Sequence, residues 1–209
     1  RSLTSADLSS LPRLAGTRRE IEAIGGVLGA NRSQDLFLGA EASELNVKDA
    51  PLENYRFISF ATHGLATGDL NGLFQPALAL SSSSSNGRSE DGLLMMGEIL
   101  GLNMNADLVV LSACNTASTD GITSEAVSGL GRAFFYAGAR SVIASSWPVH
   151  SSATVDLMSI MFRTLAADRA LGQSEALRLA RLELLQNGGY ESSDGSIKFS
   201  YAHPIFWAP

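Results

Sequence analysis

Residues 107–119 read DLVVLSACNTAST, an apolar, β-branched run that breaks into a polar turn at the only cysteine of the chain, Cys114. A short continuous apolar run bounded by turn formers reads as a strand buried on both faces, the kind that a parallel sheet uses. Two further runs share this character: RFISFAT at 56–62, which breaks at His63-Gly64, and Arg140 to Ser145, which leads into Ser146 and Trp147. Helical patterns alternate with them. Thr17 to Leu28 repeats Ile21, Ile24, Val27 and Leu28 at helical spacing, and Ser124 to Ala137 has Ser124 as N-cap, Glu125 in its first turn and Gly138 at its end. Ser151 to Ala167 and Gly172 to Gln186 are two more amphipathic helices, the last stopped by Gly188-Gly189. This alternation predicts an α/β fold with a mostly parallel sheet covered on both faces.

The segments between these elements are weaker in signal. Asp35 to Leu38 reads as a short strand and Glu41 to Val47 as a short helix ended near Pro51. Ala77 to Ser81 and Gly92 to Met95 read as hairpin partners, followed by a short helix from Met96 to Leu100. Between the partners, the serine run with Asn86-Gly87 predicts a flexible Ser-rich loop over residues 81–90. That loop is too short to separate domains, so residues 1–209 are expected to form one domain.

Bulk composition narrows the function. A formal charge of −6, with no cluster of Lys and Arg beyond Arg18-Arg19, argues against a nucleic-acid or anionic-membrane surface. The longest apolar stretches are too short to span a bilayer, and residues 1–10 carry no signal-peptide pattern. One cysteine forms no internal disulfide, so a reducing, cytoplasmic setting is expected. No CxxC or Cys/His set has zinc spacing, and no GxGxxG or P-loop follows a strand: Gly25-Gly26 lies inside a helical pattern. No metal and no cofactor are therefore expected.

Chemistry in open parallel sheets gathers beyond the carboxyl ends of the strands. Two such ends carry reactive side chains, His63 and Cys114. Read singly, Cys114 is either a small core residue or a nucleophile, and His63 either a turn residue or a base. Read together, on neighbouring parallel strands, they bring imidazole and thiol to one sheet edge. A His beside a thiol takes its proton or stabilises the thiolate, and later protonates the leaving amine. The N–H groups of Gly64 and Cys114 are candidate donors to the developing oxyanion.

FATHG at 60–64 and LSACNT at 111–116 resemble the CHAT domain, a bacterial relative of caspases and separase. LPRLAGTRREIEAI, ADLVVLSACNT, GLGRAFFYAGARSVIASSWPV and the terminal HPIFWAP also look like blocks of that family, and together they cover nearly the whole chain. A His about 50 residues before a Cys is the caspase spacing; here the separation is 114 − 63 = 51. The resemblance implies a caspase-like three-layer α/β/α sandwich and a cysteine endopeptidase with a His63/Cys114 dyad. By the same analogy Ser146 and Trp147 border the substrate, although Trp147 reads equally as a core cap beside Pro148. Asp120 and Glu125 are either contacts of an acidic pocket or solvated charges. Arg88 reads as a self-cleavage point or as an ordinary loop charge.

The chain departs from the family pattern in two places. CHAT domains commonly carry an acidic residue after the WPV block, where this chain has His150. The family also usually adds a strand before the first block and another after the last, so the expectation is either a fragment lacking the first and last strands or a sheet completed by another chain or segment. The partners implied are a protein or peptide substrate, and an upstream tetratricopeptide (TPR) segment or regulatory chain. A catalytically silent CHAT-like interaction or sensor module is the alternative reading.

Overall fold

The computed structural model describes residues 8, 11–14, 16–85, 87–112, 123–145, 150–191 and 197–208, side chains at 123–127, 191 and 197–198 excepted. They divide into two compact units, residues 1–14 with 37–148 and residues 15–36 with 149–209.

The first unit is built on three parallel strands, β1 (Phe57–Phe60), β7 (Leu108–Leu111) and β8 (Val142–Ala144), in the order β1-β7-β8. Phe57 stands opposite Leu108 and Phe60 opposite Leu111, while Val109 and Leu111 stand opposite Val142 and Ala144. All four residues of β7 are buried, as the unbroken LVVL run requires of a central strand. At the amino end of this sheet Asp107 accepts from Arg56 Nε and Arg140 Nη1, each at 2.7 Å, so one carboxylate ties the approaches to all three strands. The pairing continues past the last ladder residue, where the Ser112 N–H donates to the Phe60 carbonyl at 3.0 Å.

The β7–β8 crossover contains a helix at Thr123–Tyr136. Leu130, Ala133 and Phe134 of that helix pack into one cluster with Phe60, Val109 and Leu111, with the Phe60 and Phe134 ring centroids 5.4 Å apart. The helix begins at Thr123, one residue before the expected cap, and ends at Tyr136, one residue before the expected Ala137, with Gly138 closing it. There the Gly138 N–H bonds to Phe135 O and the Ala139 N–H to Phe134 O, a Schellman closure that needs the left-handed φ of +111° at Gly138. A Cβ at Gly138 would lie 1.9 Å from the Met104 carbonyl oxygen.

Between β1 and β7 the chain forms a second, antiparallel sheet from β2 (Gly64–Leu65), β3 (Ala77–Ala79) and β6 (Leu93–Met95), in the order β2-β3-β6. The expected hairpin pairing is present, with Leu78 opposite Leu94. The serine run, expected as a loop, instead forms an antiparallel hairpin of β4 (Ser83–Ser85) and β5 (Arg88–Glu90). Contacts outweigh low complexity here: the Ser84 and Ser89 hydroxyls meet across the strands at 2.9 Å, and Arg88 bonds Asp49, outside the hairpin, at 2.7 Å.

The second unit is mostly helical. The helices are α1 (Thr17–Leu28), the one-turn α2 (Arg32–Asp35), and the long pair Ser151–Ala167 and Gln173–Asn187. The expected strand at Asp35 to Leu38 is absent. Asn31 caps α2 through Ser33 N–H at 3.0 Å while Asp35 accepts from Asn31 N–H at 2.7 Å, and this reciprocal capping overrides the short apolar run. Two strands that the sequence did not announce, β9 (Gly189–Glu191) and β10 (Ile197–Ser200), form an antiparallel pair after the last helix. No helix among the described residues is long and apolar enough to cross a membrane.

Candidate active site

His63 sits three residues beyond Phe60, between β1 and β2, and Gly64 is the first residue of β2. The β1/β7 register makes the carboxyl ends of these strands adjacent, which is the condition under which the two sequence runs could share one sheet edge. The His63 ring is buried, 7% exposed, and its Nε2 lies 2.7 Å from the backbone carbonyl of Pro12. A carbonyl oxygen only accepts, so the neutral ring carries its hydrogen on Nε2 and keeps the basic lone pair on Nδ1. The backbone beside His63 is held as well. Its carbonyl accepts from Ala79 N–H at 2.9 Å, and the Thr62 hydroxyl donates to the Ala79 carbonyl.

The same ladder sets the orientation of Gly64. His63 and Ala79 form a hydrogen-bonded pair, so the next pair, Gly64 opposite Leu78, is of the non-hydrogen-bonded kind. The Gly64 N–H therefore points away from β3, where the ladder leaves it available as a donor.

Cys114, Asp120, Ser146 and Trp147 lie outside the described residues. The backbone of Glu125 belongs to the helix at Thr123–Tyr136 and its side chain is not described. Arg88 lies in β5, half-exposed at 49% and paired with Asp49. His150 stands at the N-cap position of the helix at Ser151–Ala167 in the second unit, without a side-chain capping bond, and is ringed by Tyr190, Phe199, Tyr201 and Phe206 at centroid distances of 5.6 to 5.9 Å.

One charged cluster stands apart from His63. Glu44, on a short helix at Glu44–Asp49, is 1% exposed and accepts from Lys48 Nζ at 2.7 Å and from Gly92 N–H at 3.1 Å. Lys48 also bonds Glu98 at 2.7 Å and Glu90 at 3.1 Å. Burial first, then the negative Glu98 nearby, push Glu44 up to about 7 despite Lys48. Burial alone would lower Lys48, but its bonds to Glu44, Glu98 and Glu90 outweigh that and raise it. At Glu98 burial is likewise outweighed, by Lys48 and the Met95 N–H, so that its carboxyl is lowered. The three carboxylates are close enough together to hold a cation, and the Lys48 ammonium already bonds all three.

Sequence reasoning missed the Pro12 carbonyl, because a backbone acceptor has no residue signature. It also missed the Glu44–Lys48–Glu98 network, for which the i,i+4 Glu-Lys spacing was a usable signal.

Compared with known proteins, residues 2–209 match the family described as CHAT domain. Neither a curated protein nor a solved structure matches the chain.

Proposed function

The chain belongs to the CHAT domain family, which is related to the caspase-like proteases, and on that premise we propose that it is a cysteine endopeptidase working through His63 and Cys114. The observation that carries this reading is the Pro12 carbonyl on His63 Nε2 at the carboxyl end of β1, which leaves Nδ1 as the base. Cys114 stands as many residues beyond Leu111 as His63 stands beyond Phe60, three in each case, and Phe60 and Leu111 are register partners. The overall architecture in this reading is the caspase-like α/β/α sandwich.

In this mechanism Nδ1 takes the Cys114 proton and the thiolate attacks the scissile carbonyl carbon. The oxyanion is held by the N–H groups of Gly64 and Cys114. His63 then protonates the leaving amine, and a water activated by the same ring hydrolyses the thioester. Ser146 and Trp147 flank the substrate backbone, and Asp120 with Glu125 form an acidic contact for a basic side chain before the cut. The substrate is a protein or peptide in the cytoplasm, and an upstream TPR segment or partner chain regulates the domain. No step needs a cofactor.

Cleavage of a peptide library by wild type, Cys114→Ala and His63→Ala tests the reading. Each substitution is expected to lower kcat/KM by at least about a thousandfold. Cleavage that persists in both variants overturns it. The burial of the His63 ring favours a second reading, a silent interaction module. Alkylation separates the two. A dyad thiol reacts in the folded chain with a pH midpoint below that of a free thiol, whereas a core thiol reacts only on unfolding.

A further inference from the structure

The Pro12 carbonyl reaches His63 from a short strap that is seated by two leucines. Leu8 and Leu11 are half-buried, and the Leu11 N–H donates to the Leu8 carbonyl at 3.1 Å, which holds them in one turn. Both pack against the cluster Leu65, Leu73, Ala77, Ala79 and Leu93 of the antiparallel sheet. Two members of that cluster frame the base: Leu65 follows Gly64 directly, and Ala79 donates its N–H to the His63 carbonyl. The seat extends to Gly92, where a Cβ would lie 3.1 Å from Leu8 Cδ1. Pro12 itself is exposed.

The strap that carries the ring acceptor is seated on the sheet through two partly buried side chains, while the His63 backbone is held independently by β3. From this we infer that Leu8 and Leu11 are positioning residues for His63: they seat the strap whose Pro12 carbonyl holds Nε2–H, and unseating the strap releases the ring from the tautomer with a basic Nδ1. The inference rests on the peptidase reading for its effect on turnover, but not for its effect on the ring.

The test uses the full chain with imidazole 15N spectroscopy and peptide kinetics. In the Cys114→Ala chain at pH 8, where no thiol shares a proton with the ring, His63 is expected to show a protonated Nε2 and a bare Nδ1. The His63→Asn chain assigns its signals. Adding Leu8→Ala and Leu11→Ala together should turn this single tautomer into a mixture, and Leu8→Met with Leu11→Met should restore it. In the chain with Cys114 present, the double alanine variant should lose about tenfold in kcat with KM within about twofold, as expected when a general base is loosened and substrate contacts are kept.

Pro12→Gly loosens the strap without removing buried side chains, and it should shift both readouts in the same direction by less. It decides the matter if the double alanine chain does not fold. A bare Nε2 in the parent chain overturns the inference. So does a tautomer unchanged by both the alanine pair and Pro12→Gly. If wild type cleaves no peptide, the peptidase reading fails, while the 15N spectra still decide whether the strap sets the tautomer.

Discussion

Lys48→Met removes the ammonium that bonds all three carboxylates of this cluster, and the cost should depend on pH. In the wild type, Glu44 is raised from 4.5 to about 7, chiefly by burial. Between those values the folded chain keeps a proton on Glu44 that the unfolded chain releases. This contribution is fully present below pH 4.5 and is lost as pH rises through about 7. At 1.36 kcal/mol per pH unit its ceiling is about 3 kcal/mol. Without the ammonium, Glu44 at 1% exposure must either carry an unpaired buried charge or hold its proton against the solution. The loss should therefore be about 1–2 kcal/mol at pH 5.5, where Glu44 is neutral and the bonds to Glu98 and Glu90 are what disappear. At pH 8 it should reach about 3–5 kcal/mol, the cost of breaking a buried ion pair. Urea unfolding of both chains at the two pH values measures the difference. An equal loss at both, or a larger one at pH 5.5, would refute the placement of a titrating buried carboxylate at Glu44.

Two further substitutions probe the frame that carries His63. Gly138→Ala forces a side chain into a left-handed turn at φ +111° with its Cβ 1.9 Å from Met104 O, so thermal unfolding should show a loss above about 3 kcal/mol or no folded protein. Asp107→Asn weakens the tie between Arg56 and Arg140. Arg56 first and Arg140 with it hold the Asp107 carboxyl below its ordinary value, a stabilisation present above pH 3.8 and lost as pH falls through the lowered value. Both arginines are 59% exposed, so solvent screening limits the loss at pH 7 to about 0.5–1 kcal/mol, and it should shrink further in 1 M salt.

The parallel sheet was legible because its evidence is local. LVVL is apolar at four consecutive positions and fully buried, as a central strand covered on both faces requires, and FISF and VIA are short, largely apolar runs beside it. The helix boundaries at Thr17, Leu28, Ser151 and Ala167 followed from the 3.6-residue repeat, with Gly29 stopping the first helix. The serine hairpin was not legible, because its residues carry little β preference alone and are held by partners across the strand. By contrast, the alternation Ile197, Phe199, Tyr201 along β10 and just past its end was a usable strand signal that sequence reasoning missed. The strand expected at Asp35 to Leu38 failed for a related reason: a helix cap one residue away from the helix start outweighed three apolar residues.

At the candidate site the division is similar. Sequence alone determined the α/β class and the family, and it singled out His63-Gly64 and Cys114 as the candidate strand ends, since each rests on residue type and spacing along the chain. Only the tertiary structure decided that β1 and β7 are neighbours in register, that Gly64 turns its N–H away from β3, and that the Pro12 carbonyl holds His63 Nε2. Strand pairing sets the first two, and the third joins the His63 side chain to a backbone carbonyl from a distant segment. Every residue but proline offers the same donor and every residue the same acceptor, so which pair meets is written in the packing of Leu8, Leu11 and the sheet beneath them, not in any motif.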